Sequence, residues 1–238
     1  MIKLKPPQTI SSPSDSGFTI IESLLGIVVV AILLAGISPI LVMSTATRVQ
    51  SRRTEKATQA ANTFIDGVRS GSIEEETIPI AGGEALAKLD EDNTTRTLQD
   101  NLITEQKMPA PESATDADLY FFKSDGTICK PFGSAGCAND PESPFEEFFI
   151  QASRITVDGS GRNDGYRLAL RVYRGDVDFG EVLLASTADT KQSSSVVTGG
   201  LGKKQAPAVE RTVDISNINT SFGALCQRFG TASDKGCN

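Results

Sequence analysis

Residues 23–47 form a stretch of 25 residues without a single charge, and no other feature of the chain restricts its fold so tightly. As a helix rising about 1.5 Å per residue it reaches roughly 37 Å, longer than the roughly 30 Å hydrocarbon core of a bilayer. Extending the stretch back to Phe18 admits one acid, Glu22. A carboxylate at membrane depth costs about 3 kcal/mol on insertion scales, so it needs a partner. A secretory signal would place basic residues before a short apolar stretch and a small-residue cleavage site after it. Here a polar leader, residues 1–17 with Lys3 and Lys5, comes first and the apolar run follows.

The helical period continues past the apolar run. Ala57, Ala60, Ala61, Phe64, Ile65 and Val68 recur at spacings of three and four, an amphipathic stripe suited to packing on a sheet. Arg48, Arg52 and Lys56 follow another face, and Gly71 after Arg69 and Ser70 fits a C-terminal stop. One helix of roughly 50 residues is expected, half of it apolar and half amphipathic. Pro39 removes a backbone hydrogen bond and should bend or loosen it. Gly26, Ala31, Ala35 and Gly36 offer small surfaces on which neighbouring helices can pack closely.

The string "SGFTIIE" at residues 16–22 resembles the cleavage motif of type IV prepilins and pseudopilins. The resemblance covers residues 16–71. It implies that a prepilin peptidase cuts after Gly17 and methylates the new N-terminal Phe18. Glu22 then matches the family's acidic position near the mature N-terminus, and Pro39 matches its helix-bending proline. The leader is longer than in the shortest members, and Ile20 stands where Leu is common. On this resemblance Glu22 pairs with the freed amine of Phe18 on an adjacent filament subunit. Such pairing gives direction as much as strength, because desolvation offsets much of the attraction. The alternative is that Glu22 merely snorkels to the membrane surface.

The implied layout is a leader at 1–17, a transmembrane half-helix at 18–47, an amphipathic half at 48–71 and a head at 72–238. The implied partners are prepilin peptidase, other pilins or pseudopilins through the N-terminal helix, an inner-membrane assembly platform and the membrane itself; no cofactor is implied. The segment "TRVQSRRTEKATQAANTFIDGVRSG" resembles, more narrowly, pseudopilins of cyanobacteria, including those of the hormogonium polysaccharide secretion apparatus. That implies a minor subunit serving polysaccharide export and gliding motility. Charge points the other way on topology: four basic residues follow the span and two precede it, which alone would put the head in the cytoplasm. Cleavage at the cytoplasmic face in this family, and cysteines that need an oxidising compartment, put the head outside.

The head reads as acidic and loop-rich. Residues 72–118 lack periodicity and read as a solvated connection, in which "GGEALAKL" could form a short helix. Strand signals begin at "LYFF" and continue through "EFFIQASRITVD" and "GYRLALRVYR". In the last, Tyr166, Leu168, Leu170 and Val172 alternate with Arg167, Ala169, Arg171 and Tyr173, the period of a half-buried strand. "DGSGRNDG" supplies a hairpin turn, and "GEVLLAS" at 180–186 the next strand. The Gly/Ser-rich residues 187–207 read as a flexible loop. The fold class is α+β and pilin-like, with the helical stripe against a small antiparallel sheet.

Of the four cysteines, Cys129 and Cys137 enclose seven residues and Cys226 and Cys237 enclose ten. Local pairing is the preferred reading, with free core thiols and metal ligation as alternatives. Each such bridge stabilises by about 2 to 3 kcal/mol in the chain-entropy model. The chain has no His, which excludes a Ser/His/Asp triad and leaves zinc without its usual shell. "GGLGKK" lacks the spacing of a phosphate loop. Asp158, Ser160 and Asp164 resemble calcium ligands, but Arg162 stands among them. No enzymatic activity is expected. The net charge of −7 argues against nucleic acid. Two other readings remain beside filament assembly: an adhesive or ligand-binding head using the loop between Cys226 and Cys237, with only a weak case for DNA, and an uncleaved single-span anchor.

Overall fold

The structure is a computed structural model that describes residues 17, 19–89, 96, 104–140, 142–143, 145–192 and 203–230. The chain divides into two compact units, Met1–Thr45 and Ala46–Asn238. Helix α1, Ile20–Ser70, contributes to both. It ends where the sequence predicts: Gly71 takes a positive φ of 76°, its N–H reaches the Val68 carbonyl, and the Ile73 N–H reaches that of Gly67.

The second unit carries a five-stranded antiparallel sheet in the order β2-β1-β3-β4-β5, made of β1 Leu119–Phe122, β2 Ile128–Cys129, β3 Phe148–Ile155, β4 Tyr166–Arg174 and β5 Val209–Ile215. One sheet face receives the helical stripe. Ala57, Ala60, Ala61, Phe64, Ile65 and Val68 pack there with Tyr120, Ile150, Leu168, Leu170 and Val172. Phe64 meets Tyr120 edge to face, ring centroids 4.8 Å apart. The layout is the expected one, α+β with a long N-terminal helix packed on a small antiparallel sheet.

Turn chemistry fixes the hairpins. Between β1 and β2 the Asp125 carboxylate accepts the Thr127 N–H at 2.8 Å, and Gly126 supplies φ 87°. Between β3 and β4, Gly165 has φ 68°, and a Cβ there would lie 2.4 Å from the Ile215 carbonyl. Only glycine fits.

Four expectations are corrected. "GEVLLAS" is not a strand; the fifth strand is Val209–Ile215, while Leu183 and Ala185 are buried in an irregular segment. Strand β4 is not half-buried, because its second face is covered too. On that face Phe121, Phe149, Tyr173, Leu183 and Cys137 form a second apolar cluster, with Phe132 and Phe179 against it. "GGEALAKL" is not a helix beyond a 3-10 turn at Ala81–Gly83; Ile80 and Leu86 instead bridge to Arg154 and Val157. Nor are the charges of the connection merely solvated. Glu75 pairs with Arg154 at 2.7 Å, and Asp116 accepts the N–H groups of Glu112 and Ser113. A second helix, α2 at Phe222–Phe229, for which no expectation is set, is capped by the Ser221 hydroxyl, which accepts the Ala224 N–H.

Candidate membrane and assembly site

Between residues 20 and 43 every large apolar side chain of α1 is exposed, on all sides of the helix. Among the described residues this is the one helix long and apolar enough to cross a membrane. A helix apolar all round belongs in lipid or inside a larger assembly. Gly26 and Gly36 sharpen the point. A Cβ at either would meet nothing within 4 Å, so nothing in this chain calls for glycine, although each costs about 1 kcal/mol relative to Ala in a helix. Pro39 lies inside the helix and leaves the carbonyl four residues earlier without its usual donor.

Of the processing residues, Gly17 is exposed and Phe18 lies outside the described residues. Glu22 is exposed in the first turn of α1. Its N–H is held by Thr19, through the carbonyl at 3.0 Å and the hydroxyl at 3.3 Å. Thr19 is thus the N-cap and Glu22 the third helical residue, the spacing of a capping box, of which the Thr19 half is formed. The T-x-x-E spacing of Thr19 and Glu22 is the sequence signal for this cap. An acid here also gains from the helix dipole, by about 0.3 to 1 kcal/mol.

In the head, Cys129 and Cys137 form a disulfide with Cα atoms 5.8 Å apart. Cys226 is disulfide-bonded as well; Cys237, its expected partner, lies outside the described residues. Arg171, fully buried, pairs with Glu210 at 2.9 Å and also donates to the Met108 carbonyl and to Gln151. Gln151 in turn donates to Asp118 at 2.7 Å. Burial pushes the Asp118 carboxyl up, opposed by that hydrogen bond from Gln151. This network ties the connection and the irregular segment around Ser186, whose hydroxyl donates to Glu210, to the second sheet face.

A cleft of about 550 Å³ is lined by Glu74, Glu75, Glu76, Arg154, Ser160 and Arg162. Its charges are largely spoken for: Glu75 pairs with Arg154 and Glu76 with Arg162. Of the suggested calcium ligands, Asp164 accepts the Gly161 N–H at 2.7 Å and so serves the turn. No group of three or more potential metal-ligating His, Cys, Asp or Glu side chains occurs among the described residues.

Comparison of the chain with protein-family models, with curated proteins and with solved structures finds no match.

Proposed function

We propose that this chain is a minor pilin or pseudopilin, cut by a prepilin peptidase after Gly17 and assembled through α1 into a filament like a type IV pilus or a type II secretion pseudopilus. The observation that carries the reading is α1 itself. Its N-terminal half is apolar all round and uncovered, its C-terminal stripe is the core of the head, and "SGFTIIE" stands at its start. Gly26 and Gly36, which nothing in the chain calls for, are suited to close approach by neighbouring helices. The span sits in the cytoplasmic membrane with the head outside, a placement supported by the Cys129–Cys137 disulfide. Polysaccharide export with gliding motility is the finer role that the narrower resemblance favours.

A second reading, an uncleaved anchor, needs only the span, since α1 is long and apolar enough to cross a membrane whether or not the chain is cut after Gly17. Mass spectrometry of the purified protein separates the two. A mature N-terminus at methylated Phe18 supports processing, and an intact leader overturns it. For assembly, Glu22→Ala should leave head stability unchanged within about 0.5 kcal/mol while abolishing incorporation into filaments. Normal incorporation of that variant would remove the carboxylate from the assembly step.

An adhesive reading has its own observation: Ile218 is fully exposed and Phe222 is 73% exposed, side by side with the start of α2. Binding of a surface that is lost in an Ile218→Ser, Phe222→Ser variant would favour it.

A further inference from the structure

We propose that the helical turns at residues 48–56, together with Phe145, dock on the phosphate layer of an anionic phospholipid membrane. Residues 46–56 hold four cations against the single acid Glu55, a net +3 in a chain whose total is −7. Such a local reversal of sign beside an uncharged run attracts anionic headgroups. Arg48 and Arg52 are exposed, and neither has a partner among the described residues.

The geometry fits a headgroup layer. Arg48 and Arg52 lie one and five residues past Thr47, the last residue of the uncharged run, hence about 1.5 and 7.5 Å along a helix axis. Headgroups extend the bilayer from roughly 30 Å to about 40–45 Å, or about 5–8 Å on each side. Phe145 stands at the same level, with the Arg53 guanidinium 4.5 Å from its ring centroid and Lys56 3.6 Å from the neighbouring Glu146. It remains 57% exposed, an apolar ring that can enter the edge of the hydrocarbon beside the cations. Arg53 is buried, its Nε and Nη1 have no hydrogen-bond partner among the described residues, and burial, then Arg174, holds its pKa below the ordinary value. Anionic lipid phosphate nearby would offset that strain. The proposal rests on the span entering a bilayer and not on filament assembly.

The test uses the absence of Trp from the chain: Phe145→Trp gives the full-length protein a single tryptophan, excited selectively at wavelengths where its three tyrosines do not absorb. The protein is reconstituted through its own span into phosphatidylcholine vesicles with and without phosphatidylglycerol. The expected result is a blue shift and weaker acrylamide quenching only with phosphatidylglycerol, reversed by high salt. Adding Arg48→Gln and Arg52→Gln should lower the docked-to-undocked ratio by about 30-fold, while lysine at both positions retains the response. Identical emission in the two vesicles would overturn docking, as would an equal response to inorganic phosphate in lipid-free detergent. Protein that fails to float with vesicles would overturn the span itself, a separate outcome.

Discussion

The two halves of α1 share a secondary structure and little else. Between residues 20 and 43 the large apolar side chains are all exposed, whereas between residues 57 and 68 they are confined to one stripe and buried. Burying a large apolar side chain is worth about 1.5 to 3 kcal/mol, and the second half obtains this from its own sheet. The first half obtains none of it from this chain. Its helix therefore depends on an apolar phase or on other helices, while the second half is specified by the fold around it. The comparison separates what the sequence folds from what the sequence delivers to its surroundings.

The sharpest way to break the comparison is to delete equivalent bulk from each half. Phe64→Ala removes a fully buried ring and should cost about 3 to 5 kcal/mol, read as a lower urea midpoint for head unfolding in detergent. Leu33→Ala removes an exposed side chain and should leave that midpoint in place. Equal shifts would mean that the halves are not independent.

A smaller effect tests whether the head is closed on its own account. Replacing Cys129 and Cys137 together by Ser should cost about 2 to 3 kcal/mol of head stability and leave membrane flotation unchanged. Reducing agent should reproduce this in the parent protein. A loss of flotation would tie the disulfide to the span, contrary to the separation drawn here.

What could be read from the sequence follows the same division. The apolar run, the stripe from Ala57 to Val68 and the stop at Gly71 are periodic local signals, and each appears in the structure. Strands β3 and β4 were legible from their β-branched and aromatic alternation. Strand β5 was not, because "VERTVDI" places Glu210, Arg211 and Asp214 in a short run and hides their partners. Arg171 and Glu210 neutralise each other 39 residues apart, and Asp214 meets Arg167 and Arg228. Long-range pairing of this kind seats charged residues in a partly buried edge strand, and no local pattern announces it. "GEVLLAS" misled for the converse reason: Leu183 covers the sheet face without joining the ladder, while Val182 is exposed. At the candidate site the motif was visible, while the capping of Glu22 needed the geometry of Thr19.

The smallest expected effect concerns pH and belongs to the head alone. Asp118 sits under the connection, where burial raises its carboxyl pKa, nearby Asp116 raises it further, and the Gln151 amide opposes both. Its folded state thus holds the proton more tightly than the unfolded chain, whose Asp titrates near about 3.9. The contribution of Asp118 to stability is therefore fully present below that value and is lost as pH rises through the higher folded pKa. Asp118→Asn keeps an oxygen to accept the Gln151 N–H, which now lies 2.7 Å from the carboxylate, and removes the charge. The variant should gain at most about 1 kcal/mol at neutral pH and lose part of the decline in stability above about pH 4. Urea midpoints measured from acidic to neutral pH in both proteins decide the matter. Parallel profiles would show that the buried carboxylate does not set the slope, and would turn attention to Glu147, which burial also raises among the described residues.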